Sequence, residues 1–530
     1  MFAITVAITL LWPRLDTLDI LLRNGRIVDG TGNPWFYGDV GIRNGRIVAV
    51  GQLGDQPARR LIDVQGQVIA PGFIDTHAHL EGSILEMPTA DNFVRMGITT
   101  AITGNCGGSA TDIARFFRSL DSVKTSIHVA TLVGHNTVRR LVMGEAARQP
   151  TREELNQMRQ LVARGMQAGA LGFSTGLIYV PGTFAQTDEV VALAHEAARF
   201  GGIYASHIRD EGNRVEEAVT EAIEIGRQVG CPVQISHFKI SSKRKWGDSR
   251  RTVALVAQAR AEGLAVTVDQ YVYPASSTGL EVLIPNWVFD GGRDSAVQRL
   301  RNPHLRKRIV EEMLRSIRAQ GFKDFSYAQV AYYAPDTTLN GLRISEITRR
   351  LRGRSGARDQ AEQVIEMYLA SPRRVGMVYH KMHERDIRHI LQQPFTMIGA
   401  DAGIIRYGSG VPHPRGYGNA PRVLARYVRQ EQVISLEEAI RKMTSLPAQT
   451  FGLWDRGLIR PGLVADIVVF DPDRIQDRAT FEAPHQYPEG ISYVIVNGTV
   501  VVEQGRHTGA RPAGALRKPA LLRSAQAGEG

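Results

Sequence analysis

Two histidines separated by a single residue follow an apolar run in the first part of the chain. The run, residues 72–76, leads directly to His77 and His79. If the run is a strand, side chains two positions apart point to the same face, so the two imidazoles would lie side by side. Such a pair can bind one metal ion. A His-X-His pair alone is a weak signal, but the end of a buried strand is where barrel enzymes carry their active-site residues.

Other side chains that can bind a metal also stand at the ends of apolar runs. They are Cys106, His207, His237 and Asp401. Taken alone, each has a simpler interpretation: a buried structural thiol, a hydrogen-bonded core histidine, or a carboxylate that caps the next helix. Together they fall at C-terminal strand ends, where a parallel barrel builds its active site. This coincidence favours a metal centre over a set of unrelated structural roles.

The elements that must position these side chains alternate between apolar runs and helical segments, which is the pattern of β/α units. The runs that predict barrel strands are residues 72–76, 99–103, 128–133, 170–173, 202–205, 233–236, 266–271 and 395–399. We therefore predict an α/β fold built on a (β/α)8 TIM-type barrel. The gap between the last two runs exceeds a normal βα unit, so about residues 280–393 should form an insertion, either a lid or a substrate subdomain.

Asn-Gly pairs between alternating apolar residues predict hairpins at both ends of the chain. They occur at residues 24–25, 44–45 and 497–498. Both residues of a type I′ turn need positive φ, which Asn and Gly tolerate. We expect the two chain ends to build one small β-sandwich domain. The predicted domains are a leader at 1–16, the β-domain at 17–70 and 456–505, the barrel at 71–455, and a disordered tail at 506–530, which is rich in Gly, Ala, Pro and Arg.

Composition narrows the class of protein. The chain has 530 residues and a formal net charge of +11, but no aromatic-rich RNA motif or Cys/His finger accompanies that charge. We therefore expect solvated basic surfaces and no nucleic-acid partner. The apolar run at residues 2–12 is too short to span a bilayer, so we expect no membrane association. Two cysteines cannot form a disulfide framework, and they suit a reducing compartment, which predicts a cytoplasmic protein.

The set of strand-end residues resembles that of the amidohydrolase superfamily. Many binuclear members carry a carboxylated lysine on the fourth strand, but here that strand contains none. The D-aminoacylase branch, which resembles this chain more closely, takes a cysteine from an earlier strand, and the thiolate charge offsets the missing carbamate. The motifs that carry the resemblance are residues 104–107, 134–139, 172–177, 206–209 and 413–415.

The resemblance implies a role for each candidate residue. Cys106, His207 and His237 would hold a tightly bound zinc ion, and His77, His79 and Asp401 would form a second, weaker site. The side chains that would bind the substrate carboxylate are Arg415, Lys239, Tyr271 and Ser277. His135 would stabilise the oxyanion, and Asp401 would act as general base and then general acid toward a metal-activated water.

The implied reaction is zinc-dependent hydrolysis of the amide bond of a small-molecule N-acyl-D-amino acid, which releases a carboxylate and a free D-amino acid. A cyclic amidase of the hydantoinase or dihydroorotase type is the enzymatic alternative, and a non-catalytic amidohydrolase-like scaffold is the other. The sequence leaves open the D-amino-acid side chain, the acyl group, the number of metals bound and the oligomeric state.

Overall fold

Fully apolar runs and alternating runs form the strands of this computed structural model, which describes residues 16–518. The predicted leader therefore lies outside the described residues, except for Asp16. The strands fall into four sheets. They are β1 (Leu18–Ile27), β2 (Phe36–Arg43), β3 (Arg46–Gly51), β4 (Ala58–Asp63), β5 (Val68–Pro71), β6 (Phe73–Asp75), β7 (Ile98–Thr103), β8 (His128–Thr131), β9 (Val133–Gly134), β10 (Gly172–Gly176), β11 (Ile203–His207), β12 (Val233–Ile235), β13 (Val266–Gln270), β14 (Ser276–Gly279), β15 (Ala328–Tyr332), β16 (Gly376–Tyr379), β17 (Thr396–Ile398), β18 (Ile467–Phe470), β19 (Ile491–Val496), β20 (Thr499–Glu503) and β21 (Arg506–His507).

Helices with one apolar face lie between the strands. They are α1 (Asp91–Val94), α2 (Ile113–Val123), α3 (His135–Met143), α4 (Arg152–Gln167), α5 (Thr187–Ala198), α6 (Val215–Val229), α7 (Ser249–Ala261), α8 (Arg293–Arg301), α9 (Pro303–Ala319), α10 (Ile344–Arg352), α11 (Ala357–Ala370), α12 (Glu384–Leu391), α13 (Arg415–Arg422), α14 (Leu436–Met443) and α15 (Ser445–Phe451). A π-helical segment, Val423–Gln430, continues α13. Within residues 16–518, none of these helices has the length and apolar character needed to cross a bilayer.

Two parallel sheets together form the predicted barrel. One runs β6-β7-β8 and the other β9-β10-β11-β12-β13-β17, and β8 and β9 are successive parts of one barrel strand. The backbone NH of Leu171 donates to Thr131 and joins the sheets on one side. On the other side the NH of Asp401 donates to His77 at 2.7 Å. All eight predicted strand positions are confirmed, so the candidate residues that follow them gather at one end of the barrel.

The chain ends share one nine-stranded sheet, ordered β21-β20-β19-β18-β5-β1-β2-β3, with β4 paired to β1. The hairpins at 44–45 and 497–498 have positive φ at both residues, as predicted. The hairpin predicted at 24–25 is wrong, because β1 continues through it. Asn24, with φ 59°, forms a β-bulge there. The bulge bends β1 so that it pairs with β4 before this point and with β5 after it.

The insertion between the seventh and eighth barrel strands packs around a core of its own. Strands β14, β16 and β15 form an antiparallel sheet, and α8 to α11 cover it. The NH of Met382 donates to Pro274 at 3.2 Å, so the insertion begins and ends at neighbouring points. The predicted bounds of 280–393 differ from the observed ones at both ends. Strand β14 already belongs to the insertion, whereas α12 packs against α7 and β13 of the barrel.

Residues 506–518 of the tail predicted to be disordered are ordered, so that prediction is wrong for them. Residues 506–507 form β21 at the edge of the nine-stranded sheet. The NH groups of Thr125 and Val129 donate to Ala513 and Gly514 at 3.1 and 3.0 Å. Backbone pairing with the start of β8 therefore holds this segment, and this pairing does not depend on side-chain type.

Candidate metal centre and active site

The ligand-type side chains predicted at the strand ends converge on the Cys106 sulfur. Cys106 Sγ lies 3.2 Å from His77 Nε2, 3.3 Å from His207 Nδ1 and 3.4 Å from His237 Nε2. Two metal-capable groups share this sulfur: one with His77 and His79, the other with His207 and His237. The structure thus brings together residues that come from β6, β7, β11 and β12 and the loops that directly follow them.

Asp401 joins the cluster on the side of the His-X-His pair. Its Oδ1 atom lies 3.0 Å from His79 Nε2 and 3.6 Å from His77 Nε2. Its Oδ2 atom forms an ion pair with Arg415 Nη1 at 2.8 Å. One carboxylate therefore faces both the imidazole pair and a guanidinium that the sequence assigned to substrate binding.

The backbone at three of these positions is strained. Cys106, His237 and Asp401 have φ values of 53°, 35° and 50°, which non-glycine residues rarely adopt. Such conformations cost about 1–3 kcal/mol each and persist only where the surrounding fold imposes them, which is often at functional sites. Gly176 shows how tightly the site is built, since a Cβ there would lie 2.1 Å from the Cys106 carbonyl oxygen.

The charges of the cluster favour cation binding. Burial raises the pKa of the Cys106 thiol, but the imidazoles of His77, His207 and His237 outweigh burial and hold that pKa well below the ordinary value. Burial likewise raises the pKa of Asp401, while Arg415 and His79 lower it well below the usual range. A thiolate and a carboxylate surrounded by imidazoles form a donor set that suits zinc.

Carboxylates that the sequence analysis missed orient the imidazoles. Asp269 lies 3.4 Å from His77 Nδ1, which leaves Nε2 of that ring directed at the cluster. Glu211 lies 2.9 Å from His237 Nδ1 and plays the same part there. Metal-binding histidines usually have such a partner on the second nitrogen. The charged residue inside the apolar strand β13 was a signal for Asp269, whereas Glu211 lies in a loop and had none.

The residues predicted to bind a carboxylate line the cavities next to the cluster. Lys239 Nζ lies 2.5 Å from Glu211 and 2.7 Å from His237 Nδ1. The Arg415 guanidinium stacks over Tyr271, 4.4 Å from the ring centroid, and also contacts the Ser277 carbonyl at 3.3 Å. Lys239 and Tyr271 line a cavity with His207 and His237, and Arg415 lines a second cavity with His79. Ser277 and Asp401 line both.

The structure does not bring His135, which the resemblance assigned to the oxyanion, to the cluster. His135 Nε2 lies 2.8 Å from Glu189, and its ring packs edge-on against Phe173. Glu189 also pairs with the buried Arg139. The reason is local: α3 begins at His135, and this turns the ring toward α5 and away from the cavity. The next residue, Asn136, lines the cavity instead.

Tyr179 takes the place beside the cluster that His135 was expected to occupy. Its ring centroid lies 4.7 Å from that of His207, and the residue lines both cavities that open onto the cluster. Burial raises the pKa of the Tyr179 phenol well above its usual value, and the Cys106 thiolate adds to this effect. The hydroxyl therefore stays protonated and can donate a hydrogen bond. Two residues separate it from the end of β10, so strand-end reasoning missed it.

Comparison with known proteins identifies the family. The model of the amidohydrolase family matches residues 60–502, most of the chain. The chain belongs to the amidohydrolase family. This amidohydrolase is 36% identical to an N-acyl-D-glutamate deacylase of Alcaligenes xylosoxydans xylosoxydans, over 96% of this chain and 99% of the relative. It is 35% identical to a D-aminoacylase of the same organism, over 93% of this chain and 96% of the relative.

A solved structure gives the same result for the fold of this amidohydrolase. The N-acyl-D-glutamate deacylase of Bordetella bronchiseptica, complexed with zinc and a phosphonate inhibitor that mimics the tetrahedral intermediate, superposes with a TM-score of 0.81. The two chains are 35% identical, and the match covers 95% of this chain and 100% of that one. The barrel, the small β-domain and the long insertion of this amidohydrolase therefore agree with the predicted fold class.

Proposed function

We propose that this protein is a zinc-dependent deacylase that hydrolyses the amide bond of N-acyl-D-amino acids. One observation carries the proposal: imidazoles, a thiolate and a carboxylate of the cluster line the same two cavities as cations suited to a carboxylate. An amide substrate with an α-carboxylate needs both features side by side. The curated relatives and the superposed structure are deacylases of this class by name.

The proposed metal ligands are those that the resemblance to the D-aminoacylase branch implies, and the donor set of the cluster supports them. Cys106, His207 and His237 would hold the tightly bound zinc, and His77, His79 and Asp401 would form the second site. When bound, zinc acts as a Lewis acid that activates water and polarises the amide carbonyl. Asp269 and Glu211 fix the second nitrogens of His77 and His237, so these rings meet the ion already oriented.

Asp401 is the proposed proton carrier. Its carboxylate is ionised, because Arg415 and His79 hold its pKa well below the usual range, and so it can accept a proton from the attacking water. It lies at the wall shared by both cavities, which lets it deliver that proton to the leaving amine nitrogen.

The substrate α-carboxylate is assigned to a clamp that consists of the side chains of Arg415, Lys239, Tyr271 and Ser277. The planar guanidinium of Arg415 can offer two parallel hydrogen bonds, and its stacking on Tyr271 restricts its orientation. The Tyr179 hydroxyl replaces His135 as the proposed donor to the carbonyl oxygen, where negative charge develops in the transition state.

The alternatives fit the residues less well. Strand β10 offers Ser174 and Thr175 where the resemblance to hydantoinase-type enzymes would require a lysine. A non-catalytic scaffold would have no need of strained ligand residues or of a clamp facing them. We also propose that the protein works in the cytoplasm on small molecules, because a reducing compartment keeps the Cys106 thiolate available as a ligand.

Zinc content and amide hydrolysis, measured together on the purified protein, test the proposal. The substrates are N-acetyl-D-methionine, N-acetyl-D-glutamate, N-acetyl-D-aspartate, their L-forms and dihydrouracil. We expect one or two zinc ions per chain and release of free amine from D-forms only. Hydrolysis of dihydrouracil alone would replace the substrate class and keep the metal centre, whereas no zinc and no turnover would favour the scaffold.

A further inference from the structure

Between the insertion and the active site of the barrel lies a cavity of about 500 Å³. Its floor is formed by cluster and clamp residues of the barrel, such as His237 and Lys239. The opposite wall comes from the insertion, including Tyr327, Tyr379 and Lys381. A substrate group that extends beyond the α-carboxylate into this cavity meets side chains of the insertion as well as Asp210 and Glu211 of a barrel loop.

Lys381 differs from the other Lys and Arg residues that line the two cavities next to the cluster. Each of those others has a carboxylate partner: Arg209 with Glu221, Lys239 with Glu211, Arg140 with Glu145, Arg374 with Glu281 and Arg415 with Asp401. Among residues 16–518, no carboxylate lies within ion-pairing distance of the Lys381 ammonium, and no hydrogen bond engages it. Asp210 and Glu211 line the same cavity and act on Lys381 only through space, without an ion pair. A cation without a direct partner in a cavity wall is a binding group for an anion.

The position of Lys381 places that anion next to the clamp. The adjacent Met382 contacts the Tyr271 hydroxyl, with 3.7 Å between oxygen and sulfur. The Lys381 ammonium lies 5.6 Å from the Tyr327 ring centroid and 5.9 Å from that of Phe322, so aromatic side chains of the insertion hold it. Burial lowers the pKa of Lys381 to about 8, which agrees with a cation that lacks a close partner.

We propose that Lys381 binds a second carboxylate of the substrate, and that this enzyme therefore prefers dicarboxylic N-acyl-D-amino acids over neutral ones. The proposal rests on the proposed function. The second carboxylate could belong to the D-amino-acid side chain, as in aspartate or glutamate, or to the acyl group, as in a succinyl amide. Both would present the same charge to the ammonium, so the substrates must separate them.

The test compares Lys381→Met, which keeps the length and packing of the side chain, with Lys381→Arg, which keeps the charge. Lys323→Met removes an exposed charge from the same insertion and serves as the matched control. The substrates are N-acetyl-D-glutamate, N-acetyl-D-aspartate, N-succinyl-D-alanine and N-acetyl-D-methionine. Zinc content and thermal unfolding show that each variant is folded.

For Lys381→Met we expect KM for the preferred dicarboxylic substrate to rise about tenfold or more, because a charge-assisted contact is lost. kcat and the KM of N-acetyl-D-methionine should change little, and Lys381→Arg should retain most of the preference. The dicarboxylic substrate whose KM rises identifies the source of the second carboxylate. An equal loss for N-acetyl-D-methionine, or no dicarboxylic preference in the unsubstituted enzyme, would overturn the assignment to Lys381.

These outcomes separate the inference from the proposed function. Turnover of N-acetyl-D-methionine without any dicarboxylic preference would leave the deacylase in place and remove only the role of Lys381. Failure to hydrolyse any N-acyl-D-amino acid by the zinc-loaded enzyme would remove both.

Discussion

The barrel end and the insertion line the same cavity, but their charged side chains differ in whether they have partners. At the barrel end, Cys106 and Asp401 are enclosed by imidazoles and a guanidinium, and the backbone is strained to hold them there. In the insertion, Lys381 forms no ion pair with any carboxylate among residues 16–518 and lies against aromatic rings. The difference indicates that the barrel holds the reacting groups in place, while the insertion offers the Lys381 ammonium to the substrate.

The largest expected effect comes from the barrel side. Asp401→Asn removes the carboxylate that carries the proton, so we expect kcat to fall about a thousandfold. Zinc content should be nearly unchanged, because Cys106, His207 and His237 remain. Cys106→Ala is the contrasting variant and should lose the tightly bound zinc. Substantial activity in Asp401→Asn would remove Asp401 from the mechanism.

The insertion should lose stability separately from the metal centre. Phe325 is fully buried in the core of the insertion, and Phe325→Ala should destabilise that core by about 3–5 kcal/mol. We expect faster proteolysis within residues 276–382 while zinc remains bound. Phe117→Ala, in the barrel core, is the matched control and should release zinc as it unfolds. Loss of zinc from both variants at the same denaturant concentration would mean that the two cores unfold as one unit.

The clamp joins the two regions, and its disruption should affect binding more than turnover. Arg415→Lys loses the planar fork and the stacking on Tyr271, so we expect KM to rise about tenfold. Steady-state kinetics with N-acetyl-D-methionine measure this without any contribution from Lys381. An unchanged KM would show that Arg415 serves only as the partner of Asp401.

The smallest expected effect is a pH dependence that belongs to the insertion alone. Burial lowers the pKa of Lys381 to about 8, against Glu211 and Asp210, which raise it, while Lys239 lowers it further. The ammonium is charged below that pH and neutral above it. KM for the preferred dicarboxylic substrate should therefore rise a few-fold as pH increases through about 8. Lys381→Arg should abolish this rise, and its persistence there would assign it to another group.

Strand positions and strand-end ligands could be predicted, because an apolar run followed by a polar side chain already defines which end of the barrel that side chain occupies. The role of His135 came from the resemblance and not from a strand end. His135 is the first residue of α3, and the helix geometry directs its ring to Glu189 and not to the cluster. The prediction of a hairpin from an Asn-Gly pair failed at Asn24–Gly25, where pairing of β1 with both β4 and β5 decides between a turn and a bulge.

The position of Lys381 in the cavity wall and its lack of an ion pair could not be predicted from the sequence. Its position in the cavity wall depends on how β14, β15 and β16 pair, and the lack of a partner depends on every carboxylate nearby. Neither leaves a local pattern. The ordered segment at 513–518 is similar, because its backbone hydrogen bonds are made with β8, far away in the chain, and its composition gave no indication of them.

The pairing of β5 with β18 has a consequence for synthesis on the ribosome. Pro71 pairs with Ile467, so one edge of β5 has no partner until roughly 400 more residues have been made, which takes about 20–80 s at ordinary elongation rates. During that interval the nascent chain exposes an apolar strand edge that could pair with another chain. Yield of active enzyme should therefore depend on how the cell shields this edge during translation, and a chain cut before β18 should aggregate even though most barrel residues are present.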